Sequence, residues 1–403
     1  MAWFVHGFLL TRVHMPQRSE ARPAGKPPFD RVVLVVVDAL RYDMVVRDGR
    51  YSCEREEECH YGHMPFLTRL ANDTSGATRA FRFEAEPPTT TLQRLKALTT
   101  GGPPTFFDVG NSFTPGALVE DNLVHQFQRR ILPTANSSNA LALLGDVSWS
   151  QLFPSAFDPE LSAPLACYNI HDLHSVDDGV LAALPGLLGR PERWGAAVLH
   201  FLGADHAGHA HGVPSLEMRA KLRQLDSAVE GLAEVMAARA APGEPFHRTL
   251  LLVCGDHGQT LSGEHGGGSA EEVDSALLAL HVGAWRLARE SAPGNRLAAL
   301  PAVFAHPCRF NCACGPEANQ CVPDLAQVDL VPTAATLLGL GVPFGNLGRL
   351  SPELWSLGQA LEDVRGGGGE GAQKDAEERL KRCALAARDN ADQVLAYLRA
   401  YAA

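Results

Sequence analysis

The run Arg31–Val37, RVVLVVV, limits the fold more than any other stretch of this 403-residue chain. It is almost purely β-branched. A strand of that kind is buried on both faces, which usually means a parallel sheet covered by helices. The run ends at Asp38, and the pattern returns further on. Leu141–Leu144 leads into Gly145-Asp146, Ala196–Leu202 (AAVLHFL) into Gly203-Ala204-Asp205, and Thr249–Val253 (TLLLV) into Cys254-Gly255-Asp256. Between the last two, Leu222, Leu225, Val229, Leu232 and Met236 fall at helical spacing after Pro214, and Ala241-Pro242-Gly243 stops that helix. Strands alternating with helices predict an α/β fold: a doubly wound, mostly parallel sheet flanked by helices. Such sheets bind ligands outside the carboxyl ends of their strands, so Asp38, Asp205 and Asp256 are expected to converge on one rim.

Length allows one large domain or two ordinary ones. Residues 1–29 read as an N-terminal segment and linker, because Pro16–Asp30 is polar and proline-rich. Residues 30–350 read as the sheet domain. Residues 351–403 read as the glycine linker Gly366–Gly369 and an amphipathic helix through Leu380, Ala384, Ala387, Val394, Leu395 and Leu398, expected to pack back on the domain. A net charge of −11 and the lack of a basic run exclude a broad nucleic-acid surface. No stretch has the ~20 consecutive apolar residues of a membrane helix. Met1–Leu10 fits a weak signal segment, the stub of a longer anchor, or an ordinary strand or helix. Of nine cysteines, Cys308, Cys312, Cys314 and Cys321 crowd together, and Cys53 and Cys59 form a second local pair. The C-x3-C-x-C-x6-C spacing favours disulfides in an oxidising compartment over a zinc site. The sequons at Asn72 and Asn136 agree with that and suggest a glycoprotein.

Two of the strand ends carry clusters that suit metal. Gly203–Gly212 (GADHAGHAHG) spaces Asp205 and His209 by four, so that one helical turn can aim both at one ion. His206 and His211 fit roles around the ligands or toward substrate. Cys254–Gly267 (CGDHGQTLSGEHGG) adds Asp256, His257 and His265, donors suited to zinc, with manganese the alternative. Cys254 reads as a small strand residue and Glu264 as a supporting or loop residue. With Asp38 there are too many donors for one closed structural site; they suit two ions with room for substrate. A nucleophile is on offer in Pro87–Gly101 (PPTTTLQRLKALTTG), where a threonine run meets the start of a helix patterned by Leu92, Leu95 and Leu98. A hydroxyl there lies beside free backbone N–H groups, a seat for a phosphoryl oxygen. Plain capping is the bland alternative.

These pieces, in this order, resemble the alkaline phosphatase superfamily: Asp after the first strand, Thr at a helix start, D-x-x-x-H, then D-H with a later H-G. Within it the chain is most similar to the GPI ethanolamine phosphate transferases, above all the branch acting on the third mannose. The similarity is carried by RVVLVVVDALRYD (31–43), EPPTTTLQRLKALTTGGPPTFFDVGNSF (86–113), VEDNL (119–123), GDVSWSQLFPSAF (145–157), HFLGADHAGHAHG (200–212), GDHGQTLSGEHGG (255–267) and LVPTAATLLGLGVPFGNLG (330–348). It implies an alkaline-phosphatase-like domain over 30–350 holding two zinc ions. One ion is expected on Asp38, Asp256, His257 and the nucleophilic threonine, the other on Asp205, His209 and His265. Thr91 best matches the nucleophile, since it keeps the spacing to Thr100-Gly101; Thr90 is the reserve. His206, His211 and Asp146 are assigned to substrate.

The implied reaction takes phosphoethanolamine from phosphatidylethanolamine onto Thr91 and passes it to a mannose hydroxyl of the GPI precursor. The setting it implies is the lumenal side of the endoplasmic reticulum membrane, with a membrane partner subunit as a further expectation. There are departures from the family. Its members carry a long multi-pass membrane region and a full N-terminal anchor, which this chain lacks, so a fragment, an isoform and a soluble paralogue are all open readings. Val147 stands where a second acidic residue is expected after Asp146. Two readings compete with transfer: a soluble phosphodiesterase or phosphatase using water as acceptor, and a truncated domain that binds the GPI precursor or a partner without turnover.

Overall fold

The computed structural model describes residues 15–20, 26–47, 59–103, 116–130, 140–166, 168–290, 322–361 and 372–402. The β-branched run forms β1 (Arg31–Val37) at the centre of an eight-stranded sheet. The other strands are β2 (Thr78–Glu84), β3 (Leu141–Asp146), β4 (Ala163–Leu165), β5 (Ala196–Phe201), β6 (Thr249–Cys254), β7 (Asp274–His281) and β8 (Asp324–Ala326), in the order β4-β3-β5-β1-β6-β7-β2-β8. Only β7 runs against the rest. β1 pairs in parallel with β5 and β6, Val37 opposite Phe201 and Val36 opposite Cys254, so the chain leaves all three strands at the same edge.

The helices used below are α1 (Pro65–Ala71), α2 (Thr91–Thr100), α3 (Leu123–Gln128), α4 (Ser175–Leu188), α5 (Gly203–His211), α6 (Leu216–Ala238), α7 (Val282–Glu290), α8 (Gln327–Leu338) and α9 (Ala372–Ala402). Leu98, Phe127, Leu330 and Ala334 of α2, α3 and α8 cover the sheet face that carries Val32, Leu34 and Leu252. α4, α6, α7 and α1 form the other layer. There Leu222, Leu225, Val229, Leu232 and Met236 are all buried, as their spacing predicted. Asp226 of α6 caps α1 by accepting from Phe66 and Leu67 N–H at 2.9 and 3.0 Å. The doubly wound, mostly parallel α/β sheet is therefore present.

The described parts of the proline-rich stretch before β1, residues 16–20 and 26–30, are docked to this body. Phe29 is fully buried, and Ser19 N–H donates to Asp121. α9 packs back through Cys383, Asn390 and Tyr397, and Asn390 Oδ1 accepts from Leu350 N–H at 2.9 Å. Among the described residues no helix is long and apolar enough to cross a membrane. Cys59 is disulfide-bonded. Met1–Leu10, Cys53, Cys308, Cys312, Cys314, Cys321, Asn136 and Gly366–Gly369 lie outside the described residues.

Candidate metal centre

Each strand delivers its carboxylate by a local device. After β1 the chain turns through Ala39 at φ 59°, a conformation costly for a residue with a side chain. The turn puts Ala39 N–H on Asp256 Oδ1 at 3.2 Å, which ties the β1 and β6 exits together. Gly255 permits the approach, because a Cβ there would collide with the Leu40 carbonyl. At the β5 exit, Asp177 Oδ1 accepts from Leu202 and Gly203 N–H at 3.0 and 3.2 Å, and its Oδ2 lies 3.1 Å from Lys221 Nζ. This buried pair pins the first turn of α5, which stacks Asp205 and His209 on one face.

The threonine run ends in α2 with one refinement. Thr90, not Thr91, is the N-cap; its side chain makes no capping bond, and Thr91 is the first helical residue. Thr89 donates to Gly267 O at 2.8 Å and accepts from Gly266 N–H at 2.9 Å, lacing α2 to the loop that carries His265.

The side chains meet as two abutting groups. In the first, His257 Nε2 lies 3.4 Å from Asp38 Oδ1, 3.6 Å from Asp256 Oδ2 and 3.4 Å from Thr91 Oγ1, and Thr91 Oγ1 is 3.3 Å from Asp38 Oδ2. In the second, Asp205 Oδ1 lies 3.4 Å from His209 Nε2 and 3.3 Å from His265 Nε2, and the two imidazole nitrogens are 3.0 Å apart. The His257 and His265 rings stack at 4.1 Å, so His257 borders both groups.

The donor set fits cations. Ligands about 2.0–2.1 Å from a tetrahedral zinc are separated by roughly 3.3 Å, close to the spacings found. His257 Nδ1 donates to Gly258 O and His265 Nδ1 to Thr89 O, each at 2.9 Å, which turns both Nε2 atoms inward. Asp38 Oδ1, Asp205 Oδ1 and Asp256 Oδ2 are buried without a hydrogen-bond partner, an arrangement that is costly unless a cation completes it.

Electrostatics agree. Burial, then the charges of Asp256 and Asp205, push the Asp38 carboxyl well above its usual range. Burial also lowers the pKa of His257. For His265 burial works downward, but the contact with Asp205 outweighs it and holds the ring up at about 9. The same contact keeps Asp205 below its usual range despite its burial. These are carboxylates and imidazoles competing for protons where a cation would relieve them.

Other expected residues stand apart from these two groups. His206 is buried and turns Nδ1 to Asp172 O at 2.8 Å. His211 is exposed at the end of α5. Asp146 Oδ2 is 3.7 Å from His200 Nδ1 and reaches the rim only through that ring. Cys254 is free and buried in β6, with burial pushing its thiol up. Glu264 makes a loop contact through its N–H to Thr260 Oγ1 at 3.1 Å. Sequence reading missed His200, fully buried in β5 and 3.5 Å from Asp38 Oδ2. The signal was a histidine inside the otherwise apolar run AAVLHFL.

Residues 119–275 match the family model of Type I phosphodiesterase / nucleotide pyrophosphatase. Over its whole length the chain is 36% identical to human GPI ethanolamine phosphate transferase 3, catalytic subunit. The GPI ethanolamine phosphate transferase 3 of Saccharomyces cerevisiae is 33% identical across 86% of the chain.

The chain is a relative of the GPI ethanolamine phosphate transferases.

It spans about a third of these transferases' own length, 33% of the human protein and 31% of the yeast one. A GPI ethanolamine phosphate transferase 2 from the same yeast is 29% identical over 88% of the chain. Among solved structures, the zinc complex of the periplasmic domain of EcEptC from Escherichia coli aligns with 81% of this chain and 87% of its own, at 13% identity and a TM-score of 0.49. An alkaline phosphatase superfamily protein from Vibrio parahaemolyticus covers 83% of this chain and 71% of its own, at 12% identity and a TM-score of 0.48.

Proposed function

We propose that the chain transfers phosphoethanolamine from phosphatidylethanolamine to a mannose, the third, of the GPI precursor, through a covalent adduct on Thr91. The observation that carries this is the Thr91 hydroxyl at the head of α2, 3.3 Å from Asp38 Oδ2 and 3.4 Å from His257 Nε2, beside buried carboxylate oxygens without partners. Asp38, Asp256, His257 and Thr91 would hold one zinc ion and Asp205, His209 and His265 the other, with manganese the alternative metal. Bound there, the two cations neutralise phosphoryl charge and lower the proton affinity of a nearby hydroxyl.

In the first half-reaction Thr91 Oγ1 loses its proton and bonds to phosphorus, the bond to the diacylglycerol oxygen breaks, and that oxygen takes up a proton. In the second, the mannose hydroxyl loses its proton and its oxygen bonds to phosphorus, the bond between phosphorus and Thr91 Oγ1 breaks, and Oγ1 takes up a proton. In this reading the positive end of α2, at Thr91, is turned to the phosphoryl oxygens. Asp146, His206 and His211 are proposed to serve substrate. Endoplasmic-reticulum lumenal placement and a membrane partner subunit belong to this proposal, and the naming of the human relative as a catalytic subunit suits a partner.

A second reading keeps the site and uses water as acceptor, making the chain a phosphodiesterase; the family-model match over residues 119–275 favours it. The test is Thr91→Ala. It is expected to abolish a phosphoethanolamine adduct, followed by intact-mass measurement, and to leave the metal content at the wild-type level. An undiminished adduct moves the nucleophile elsewhere, with Thr90 next in line. Release of free phosphoethanolamine without glycan-linked product selects the hydrolytic reading.

A further inference from the structure

His200 takes no part in either ligand group, yet its surroundings are arranged around it. It is fully buried in β5. Its Nδ1 accepts a hydrogen bond at 3.0 Å from the indole Nε1–H of Trp149, itself 1% exposed. An indole N–H only donates, so the tautomer with its sole proton on Nδ1 is excluded. A ring that accepts on Nδ1 is neutral and carries its one hydrogen on Nε2. That atom has no hydrogen-bond partner and lies 3.5 Å from Asp38 Oδ2. Gly145, at φ +112°, pairs with His200 across the sheet, and a Cβ there would collide with the His200 carbonyl oxygen. The segment Gly145–Trp149 thus approaches β5 closely enough for the indole to reach the ring.

A buried donor left unpaired is costly. Here the unpaired one is aimed at the carboxylate whose other oxygen, Oδ1, faces His257 Nε2 at 3.4 Å. We propose that His200, oriented by Trp149, is a positioning residue: its Nε2–H fixes Asp38 Oδ2 and so presents Oδ1 to the cation shared with Asp256 and His257. It acts through Asp38 and touches no substrate. The inference rests on the metal-site reading above.

Competitive zinc titration of the full chain against a chromophoric chelator tests it. His200→Ala is expected to weaken one of two zinc sites by about 10- to 100-fold and leave the other unchanged. His200→Gln, which keeps an N–H donor, is expected to restore most of that affinity. Trp149→Phe removes only the tautomer lock and is expected to give a smaller loss at the same site. A folded His200→Ala protein with the wild-type isotherm overturns the inference and leaves the metal site standing. If His200→Ala does not fold, an unchanged isotherm for Trp149→Phe overturns it equally. A wild-type chain that takes up no zinc overturns the metal-site reading, and this inference with it.

Discussion

At the scale of single residues the site is held against itself. Asp38, Asp205 and Asp256 crowd at one rim, and burial with mutual repulsion drives the Asp38 carboxyl upward. A cation turns that cost into affinity, so the sign of a substitution depends on the metal. Asp256→Asn keeps an oxygen for Ala39 N–H and offers an amide proton to His257 Nε2. Without metal it is expected to stabilise the fold, since it removes one of the charges that push the Asp38 carboxyl upward. With zinc in excess the order reverses, because one ligand is lost and ligand-linked stabilisation falls with it. Thermal unfolding with EDTA and then with zinc checks both halves, and a variant less stable than wild type in EDTA contradicts the repulsion argument.

At the scale of elements, α5 matters most after the strands, because it carries Asp205 and His209. Its first turn depends on the Asp177–Lys221 pair, whose side chains are 1% exposed, and burial raises Asp177 despite Lys221. Lys221→Met leaves a buried carboxylate alone and is expected to cost about 3–5 kcal/mol in denaturant unfolding. The double variant Asp177→Asn with Lys221→Met is expected to recover much of that; equal losses for the single and double variants contradict a pair. The strands that place the site were legible: β1, β3, β5 and β6 are apolar runs that cannot lie on a surface, each with an acid at its end. β4 and β8, three residues each, are too short to show a period. β7 is buried along its whole length, and a short apolar run does not tell strand from helix. The neighbouring threonines could not be separated by pattern alone, since one step along a helix swings a side chain by roughly 100°. His200 escaped notice because its role depends on Trp149 and Asp38, both remote in sequence.

At the scale of the whole molecule, the sheet turns sequence order into proximity. Residues 38, 91, 205, 256 and 265 come from four connections, the last two sharing the one between β6 and β7, and meet at one rim because the parallel strands β1, β5 and β6 end at the same edge. The central claim is that this rim grips two cations around one threonine oxygen. A zinc-edge anomalous difference map from crystals soaked in zinc and phosphoethanolamine tests it most directly. Two peaks are predicted, one bounded by Asp38, Asp256, His257 and Thr91, the other by Asp205, His209 and His265, with the phosphorus of the bound phosphoethanolamine next to Thr91 Oγ1. A map with no peak at this rim, or with its phosphorus away from Thr91, contradicts it.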